Sequence, residues 1–136
     1  MSSSTPGSAA HQLSVFLDNS GVVHLNQGHY QKITRERVIE MAHRNRDILG
    51  YDRKAPMLIY GNNILGLDYQ AARESTHSPF ADHCLCMAAV VQTRLEEYLS
   101  HLYEIHRPPF PFKAFRNQEA AIVWLNKKCK ELGQPL

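Results

Sequence analysis

The densest set of side chains able to do chemistry is His77, His83, Cys84 and Cys86. Imidazole nitrogens and thiolates are ligands that zinc prefers, four of them within tetrahedral reach and commonly supplied by closely spaced pairs. Cys84 and Cys86 are one residue apart, and on a strand that spacing puts both sulfurs on one face. His77 is reached only through a loop containing Pro79. The stronger reading is that the cysteines are small buried hydrophobes, so no metal is expected. A Cys–His nucleophile pair is the other chemistry on offer. His83 and Cys84 are adjacent, and adjacent strand residues point to opposite faces, which argues against it. No Gly-x-Gly-x-x-Gly and no Walker-type phosphate loop occurs. No cofactor is expected, and the chain reads as a non-enzyme.

A second candidate is the loop Gly61-Asn62-Asn63-Ile64-Leu65-Gly66, with Asp68 and Arg73 on the segment behind it. It follows an apolar run that reads as a central strand, and open α/β sheets gather ligands at the carboxyl ends of such strands. Gly61, Asn62, Asn63, Gly66, Asp68 and Arg73 are therefore the candidate ligand or partner residues. The plainer alternative makes Gly61 and Gly66 turn glycines, Asp68 a helix cap and Arg73 a solvated or ion-paired residue. A third candidate is an interface. Tyr98, Leu99, Leu102, Tyr103 and Ile105 cover more of one helix than a narrow stripe, and a surplus apolar face points to a partner surface. Symmetric self-pairing is the commonest outcome. A homodimer through Tyr98, Leu102 and Tyr103, or through an edge strand, is expected, with room for another protein partner.

The elements that would position these residues follow from periodicity. Leu13, Val15 and Leu17 alternate, Asp18–Gly21 supplies turn residues, and Val22, Val23 and Leu25 continue as a second strand of an antiparallel hairpin. Thr34 caps a helix over residues 34–49, with Val38, Met41, Ala42 and Leu49 at helical spacing and Gly50 as its stop. Met57–Tyr60 and Cys84–Val91 are short continuous apolar runs, which suit strands buried on both faces. Asp68 caps a short helix over Tyr69–Thr76. Thr93 opens a helix with the apolar stripe Leu95, Leu99, Leu102 and Ile105, closed by Pro108-Pro109. Phe110–Phe115 contains Pro111 and reads as an edge strand. Asn117 caps a last helix with Ala121, Trp124, Leu125 and Leu132 inward, closed by Gly133 and Pro135. The predicted order is β-β-α-β-α-β-α-β-α, an α/β domain on a mixed open sheet with a parallel core and an antiparallel edge.

Bulk properties narrow the class. A chain of 136 residues can bury a full core without disulfides. The Ser-rich start lacks a basic or apolar region, so residues 1–11 read as a disordered tail and 12–133 as one domain. Three cysteines fit a reducing, cytoplasmic setting. No apolar run reaches about 18 residues, so no membrane insertion is expected. Net charge is +2, and the basic residues between Lys32 and Lys54 are interleaved with Glu36, Glu40, Asp47 and Asp52. That pattern is a solvated helix face rather than a nucleic-acid footprint.

Three stretches carry a family resemblance. They are Ala55-Pro56-Met57-Leu58-Ile59 with Gly66-Leu67 and Ala71-Ala72-Arg73-Glu74; the strand Met87–Val91; and Phe110-Pro111-Phe112-Lys113-Ala114-Phe115 running on to Trp124-Leu125. Together they resemble small bacterial domains with a STAS-like, SpoIIAA-like fold, in an uncharacterised branch. The resemblance covers residues 12–132 and implies a binding or regulatory role. Proteins of this class include anti-sigma-factor antagonists, which bind proteins, and lipid-cradling relatives. The alternative function is a small apolar-ligand carrier with a pocket between the sheet and the Tyr98/Leu102 helix. The antagonists carry an Asp-Ser-Ser-Gly-type loop with a phosphorylatable serine. Here the corresponding stretch, Tyr60–Gly66, has no hydroxyl beyond that of Tyr60, so the phosphorylation switch does not carry over.

Overall fold

The computed structural model describes residues 13–29 and 32–133. The expected N-terminal tail and Pro135 lie outside these residues. Strands β1 (Ser14–Leu17) and β2 (Val23–Asn26) pair antiparallel, with Phe16 opposite His24. A two-residue strand β3 (Lys32–Ile33) leads into helix α1 (Arg35–Leu49). The Thr34 hydroxyl accepts the Arg37 N–H at the start of α1, and Gly50 ends the helix at φ 81°, where an L side chain would be strained. Then come β4 (Ala55–Tyr60), a two-residue β5 (Gly66–Leu67), helix α2 (Tyr69–Ser75) and a single 3-10 turn (Phe80–His83). Strand β6 (Cys84–Val90), helix α3 (Arg94–Ile105), strand β7 (Phe112–Phe115) and helix α4 (Gln118–Glu131) complete the order.

The main sheet runs β1-β2-β4-β6-β7, and its last four strands are parallel. The predicted mixed sheet with an antiparallel edge is therefore present. The short parallel pair β3–β5 is an addition, two residues from each side. It is too short to leave a periodicity. Val23, Leu25, Met57 and Met87 face α1 and α2, meeting Val38, Met41, Ala71 and Phe80. Leu58, Cys86 and Ala88 face the other way, beneath Ala121, Leu125 and Cys129 of α4. Met57 and Leu58 are neighbours and both wholly buried, as the continuous apolar run predicts. A fully buried Leu or Met side chain contributes about 1.5–3 kcal/mol of transfer free energy.

Three expectations are corrected. First, Cys84 and Cys86 do not share a face. Ala55 pairs with Cys84 but Pro56 pairs with Cys86, so Leu85 is an extra residue in β6. Pro56 has no N–H to donate, and a proline inside a central strand needs such an irregularity. The bulge sends Cys84 to the α1 side and Cys86 to the α4 side. Second, α3 is rolled relative to its apolar stripe. Glu96, Ser100 and Tyr103 are buried, while Leu95, Tyr98, Leu102 and Ile105 are exposed. Third, Leu132 is exposed, because α4 stops at Glu131 and Leu132 is only its cap; Cys129 takes the inward place.

Candidate binding site

The carboxyl ends of β2 and β4 are held by a buried arginine. Arg37, on the first turn of α1, donates from Nε to Gln27 Oε1 at 2.9 Å and from Nη2 to the Gln27 carbonyl at 3.0 Å. Gln27, fully buried, donates its own backbone N–H to the Tyr60 carbonyl at 2.8 Å and its amide to Met41 Sδ at 3.2 Å. The next chain turn packs on this knot. A Cβ at Gly61 would come within 3.0 Å of Gln27 Cβ and 2.9 Å of Ile64 Cδ1. Gly61 is thus explained by close approach. The left-handed residue of the loop is Asn63, at φ 59°.

The loop is closed down onto the protein at both ends. The Asn62 N–H donates to the Gly28 carbonyl at 2.7 Å, and its side-chain amide meets His29 Nδ1 at 3.1 Å. The Ile64 N–H donates to Glu96 Oε2 at 2.8 Å. Glu96 Oε1 accepts the Gln92 N–H at 2.6 Å, and Thr93 Oγ1 accepts the Glu96 N–H at 3.0 Å. Thr93 and Glu96 are a capping box in sequence. Here the carboxylate reaches past the cap residue to Gln92 and across to the loop. This is why α3 turns a polar residue inward.

The six loop candidates do not converge on one pocket. Gly61 and Asn62 are engaged within the fold. Asn63 and Arg73 are exposed at separate places. A Cβ at Gly66 would lie 3.4 Å from the Lys32 side chain, an ordinary contact. Asp68 sits at the cap position of α2 but makes no side-chain cap bond; its carboxylate pairs with Lys32 at 3.0 Å. Of the interface candidates, Tyr98 and Leu102 are exposed. Tyr103 is buried, edge-on to Phe112 at 4.8 Å, and its hydroxyl accepts from Ser75 Oγ at 3.0 Å.

What the loop and α3 cover in part is a cavity of about 100 Å³ that stays open on one side. Its walls come from α1, β4, β6, α3 and β7, through residues such as Met41, Ile59, Met87, Leu99 and Phe112. Sequence reading places a pocket between the sheet and this helix but misses Glu96. The Thr93-x-x-Glu96 spacing was the available signal.

The histidine and cysteine set is dispersed. His77 is exposed, with Nδ1 on the Arg73 carbonyl at 2.8 Å. His83 is buried, with Nδ1 on the Arg53 carbonyl at 3.0 Å. Among the described residues, no three His, Cys, Asp or Glu side chains converge. Burial pushes the Cys84 thiol well up and the Cys86 thiol up to about 12, the latter helped by the facing Cys129. The thiolate is the reactive form. We expect no alkylation of any of the three cysteines by iodoacetamide at pH 7.5 over an hour, and three adducts by intact mass once the chain is denatured.

A further cluster, unanticipated from sequence, lies on the opposite sheet face. His24 Nε2 is 2.8 Å from Asp18 Oδ2, and its Nδ1 is 3.4 Å from the Tyr60 hydroxyl. A carboxylate only accepts, so in the neutral ring Nε2 carries the proton and Nδ1 accepts from Tyr60. Phe16 stacks on the ring at 4.6 Å. His24 is 6% exposed, so its edges meet protein, not a cleft. The chain of contacts ties β1 to β2 and β4. Asp18 also accepts from Ser20 and the Val22 N–H. Burial raises its carboxyl, but hydrogen bonds from His24, Ser20 and Val22 outweigh this and hold it at about 2, against an ordinary 3.8. A depressed carboxyl stabilises the fold above its unfolded value and loses that contribution as pH falls through the folded one. Asp18→Asn is therefore expected to cost about 1 kcal/mol at pH 7, a part of the full linkage value because solvent reaches the carboxylate. The gap from the unsubstituted chain should close between pH 4 and about pH 2, read by urea melts across that window.

Comparison with known proteins agrees with this architecture. No curated protein matches the chain. Among solved structures, an uncharacterised protein of the DUF3478 family from Shewanella loihica PV-4, described as having a SpoIIAA-like fold, superimposes with a TM-score of 0.62 at 21% identity. The match covers 92% of this chain and 98% of that one. The fold is thus SpoIIAA-like. No helix of the described residues is long and apolar enough to cross a membrane. The family described as Domain of unknown function (DUF7793) matches residues 15–128, most of the chain, and the chain belongs to that family.

Proposed function

We propose that this chain is a non-enzymatic binding module that works through the outward face of α3, with a second copy of itself as the partner. The observation that carries this is the roll of α3. Ile105 is 72% exposed, Tyr98 59% and Leu95 41%, while Glu96 is 5% exposed. A helix that buries a carboxylate and shows water its tyrosine, leucines and isoleucine has its apolar side set for something else. Tyr69, 64% exposed, sits beside the end of α3 through its ring contact with His106 at 5.2 Å, and widens the patch.

Charge favours self-association over a strongly acidic or basic partner. The exposed flank of α3 carries both signs, Arg94 near its start and Glu104 near its end. A two-fold antiparallel pairing sets the Arg94 end of one helix level with the Glu104 end of the other. A helix of this length, about 18 Å, offers far less than the roughly 800 Å² per partner of a standard interface. The dimer is accordingly weak and reversible. Sedimentation equilibrium from micromolar to millimolar concentration should show a monomer–dimer transition, and Ile105→Glu should weaken it at least about tenfold. A wild-type chain that stays monomeric over that range refutes the proposal.

The cavity favours a second reading, an apolar-ligand carrier. In this reading α3 is a cover, and its inward polar atoms serve as fastenings.

A further inference from the structure

We propose that the cavity under α3 takes a compact, uncharged, apolar molecule, and that the bond between Glu96 and the Ile64 N–H governs how fast it gets in. This rests on the carrier reading above. The lining decides the ligand class. Met41, Ile59, Met87, Ala89 and Leu99 supply hydrocarbon and thioether surface. The polar groups at the boundary are already committed to the protein. Ser100 Oγ donates to the Glu96 carbonyl at 3.1 Å, and the Tyr103 hydroxyl holds Ser75. The two Glu96 oxygens hold Ile64 and Gln92. A buried water needs two to four polar partners, and an apolar void without them stays dry and accepts hydrocarbon. A charged or strongly hydrogen-bonding ligand would lose its hydration and find no replacement here. The volume, about 100 Å³, sets the size. A cavity of about 150 Å³ accepts benzene, so this smaller one takes a molecule no larger than benzene or one short aliphatic group.

The way in follows from the fastenings. Ile64 is both a wall of the cavity and the donor to Glu96. Leu67, on the two-residue strand that follows, is a wall as well. Toward its C-terminal end α3 is anchored by buried Tyr103 against Phe112 and Ser75. At its first turn the loop is fastened to α3 through the Glu96 carboxylate. Releasing that bond lets Ile64 and Leu65 swing off α3 about the end that Asn62 keeps tied to Gly28, without moving the sheet.

The test uses the full chain labelled with ¹³C at the methionine methyls. Met41 and Met87 line the cavity, whereas Met57 is buried on the same sheet face outside it. Benzene is expected to shift the Met41 and Met87 signals saturably and Met57 less, while benzoate at equal concentration shifts none of them. Glu96→Gln removes one acceptor oxygen and the charge, and should speed benzene exchange roughly tenfold, since a charge-assisted hydrogen bond is worth at least that factor. Glu96→Asp, one methylene short of its partners, should do the same and serves if the first variant folds poorly. No saturable shift with benzene overturns both the carrier reading and the gate. An equal response to benzoate overturns the ligand class. Benzene binding with unchanged exchange in both variants overturns the gate and leaves the carrier reading standing.

Discussion

Replacing Arg37 with alanine is expected to lower the unfolding free energy by about 3–4 kcal/mol, a large share of the 5–15 kcal/mol typical of a domain. The side chain is 6% exposed, and two of its nitrogens hold Gln27. Removing it leaves the Gln27 side-chain and backbone oxygens buried without those donors, each costing roughly 1–3 kcal/mol. It also removes the packing of a long aliphatic stem. Gln27 is the residue against which Gly61 packs and which donates to the end of β4, so the damage reaches the candidate loop. Arg37→Lys should recover little. An ammonium cannot place two donors in the planar fork that reaches an amide oxygen and a carbonyl together. Chemical denaturation of the three chains checks this. A loss below about 1 kcal/mol for the alanine variant would mean that the knot does not hold the strand ends.

Glu96→Ala is expected to cost about 2–4 kcal/mol, and in a different manner. Glu96 is 5% exposed, and its oxygens accept the Ile64 and Gln92 N–H groups. Bonds to a charged acceptor contribute about 1.5–3 kcal/mol each, and part of the loss is recovered because water can reach the opened loop. The effect is local. Hydrogen exchange at the Ile64 and Gln92 amides should accelerate well before that of the central strands. The Arg37 substitution should instead speed exchange throughout the sheet. Uniform acceleration in both variants would show that the loop and α3 do not open as a separate unit.

Sequence and structure agree where one dominant force fixes the outcome. Met57–Tyr60 and Cys84–Val90 are central strands because uninterrupted apolar runs of that length find satisfaction only between two layers. Thr34, Thr93 and Asn117 are visible as caps because their side chains bond backbone two or three residues on. Disagreement arises where a residue's partner lies far along the chain. Periodicity shows which side of α3 is apolar but not which side is buried. The deciding contact joins Glu96 to Ile64, 32 positions away. Ideal strand geometry puts the two cysteines on one face, and Pro56 on the neighbouring strand breaks that geometry. Asp68 has the right chemistry for a cap, yet Lys32 from β3 claims its carboxylate. The His24 cluster left no signal, since Asp18, His24 and Tyr60 are joined only by strand pairing.

The order β1-β2-β4-β6-β7 follows the order of synthesis. Each main-sheet strand therefore finds its docking edge already made when it leaves the ribosome, and none must wait for a later one. Loop closures stay short, which favours rapid growth of the sheet from one side. The exception is α4, which emerges after every strand of the sheet. Until it arrives, Leu58, Cys86 and Ala88 form a bare apolar strip on the nascent chain. That strip is where a newly made molecule is most open to chaperones or to sticking to its neighbours, and it stays so until α4 has been made and docks on it.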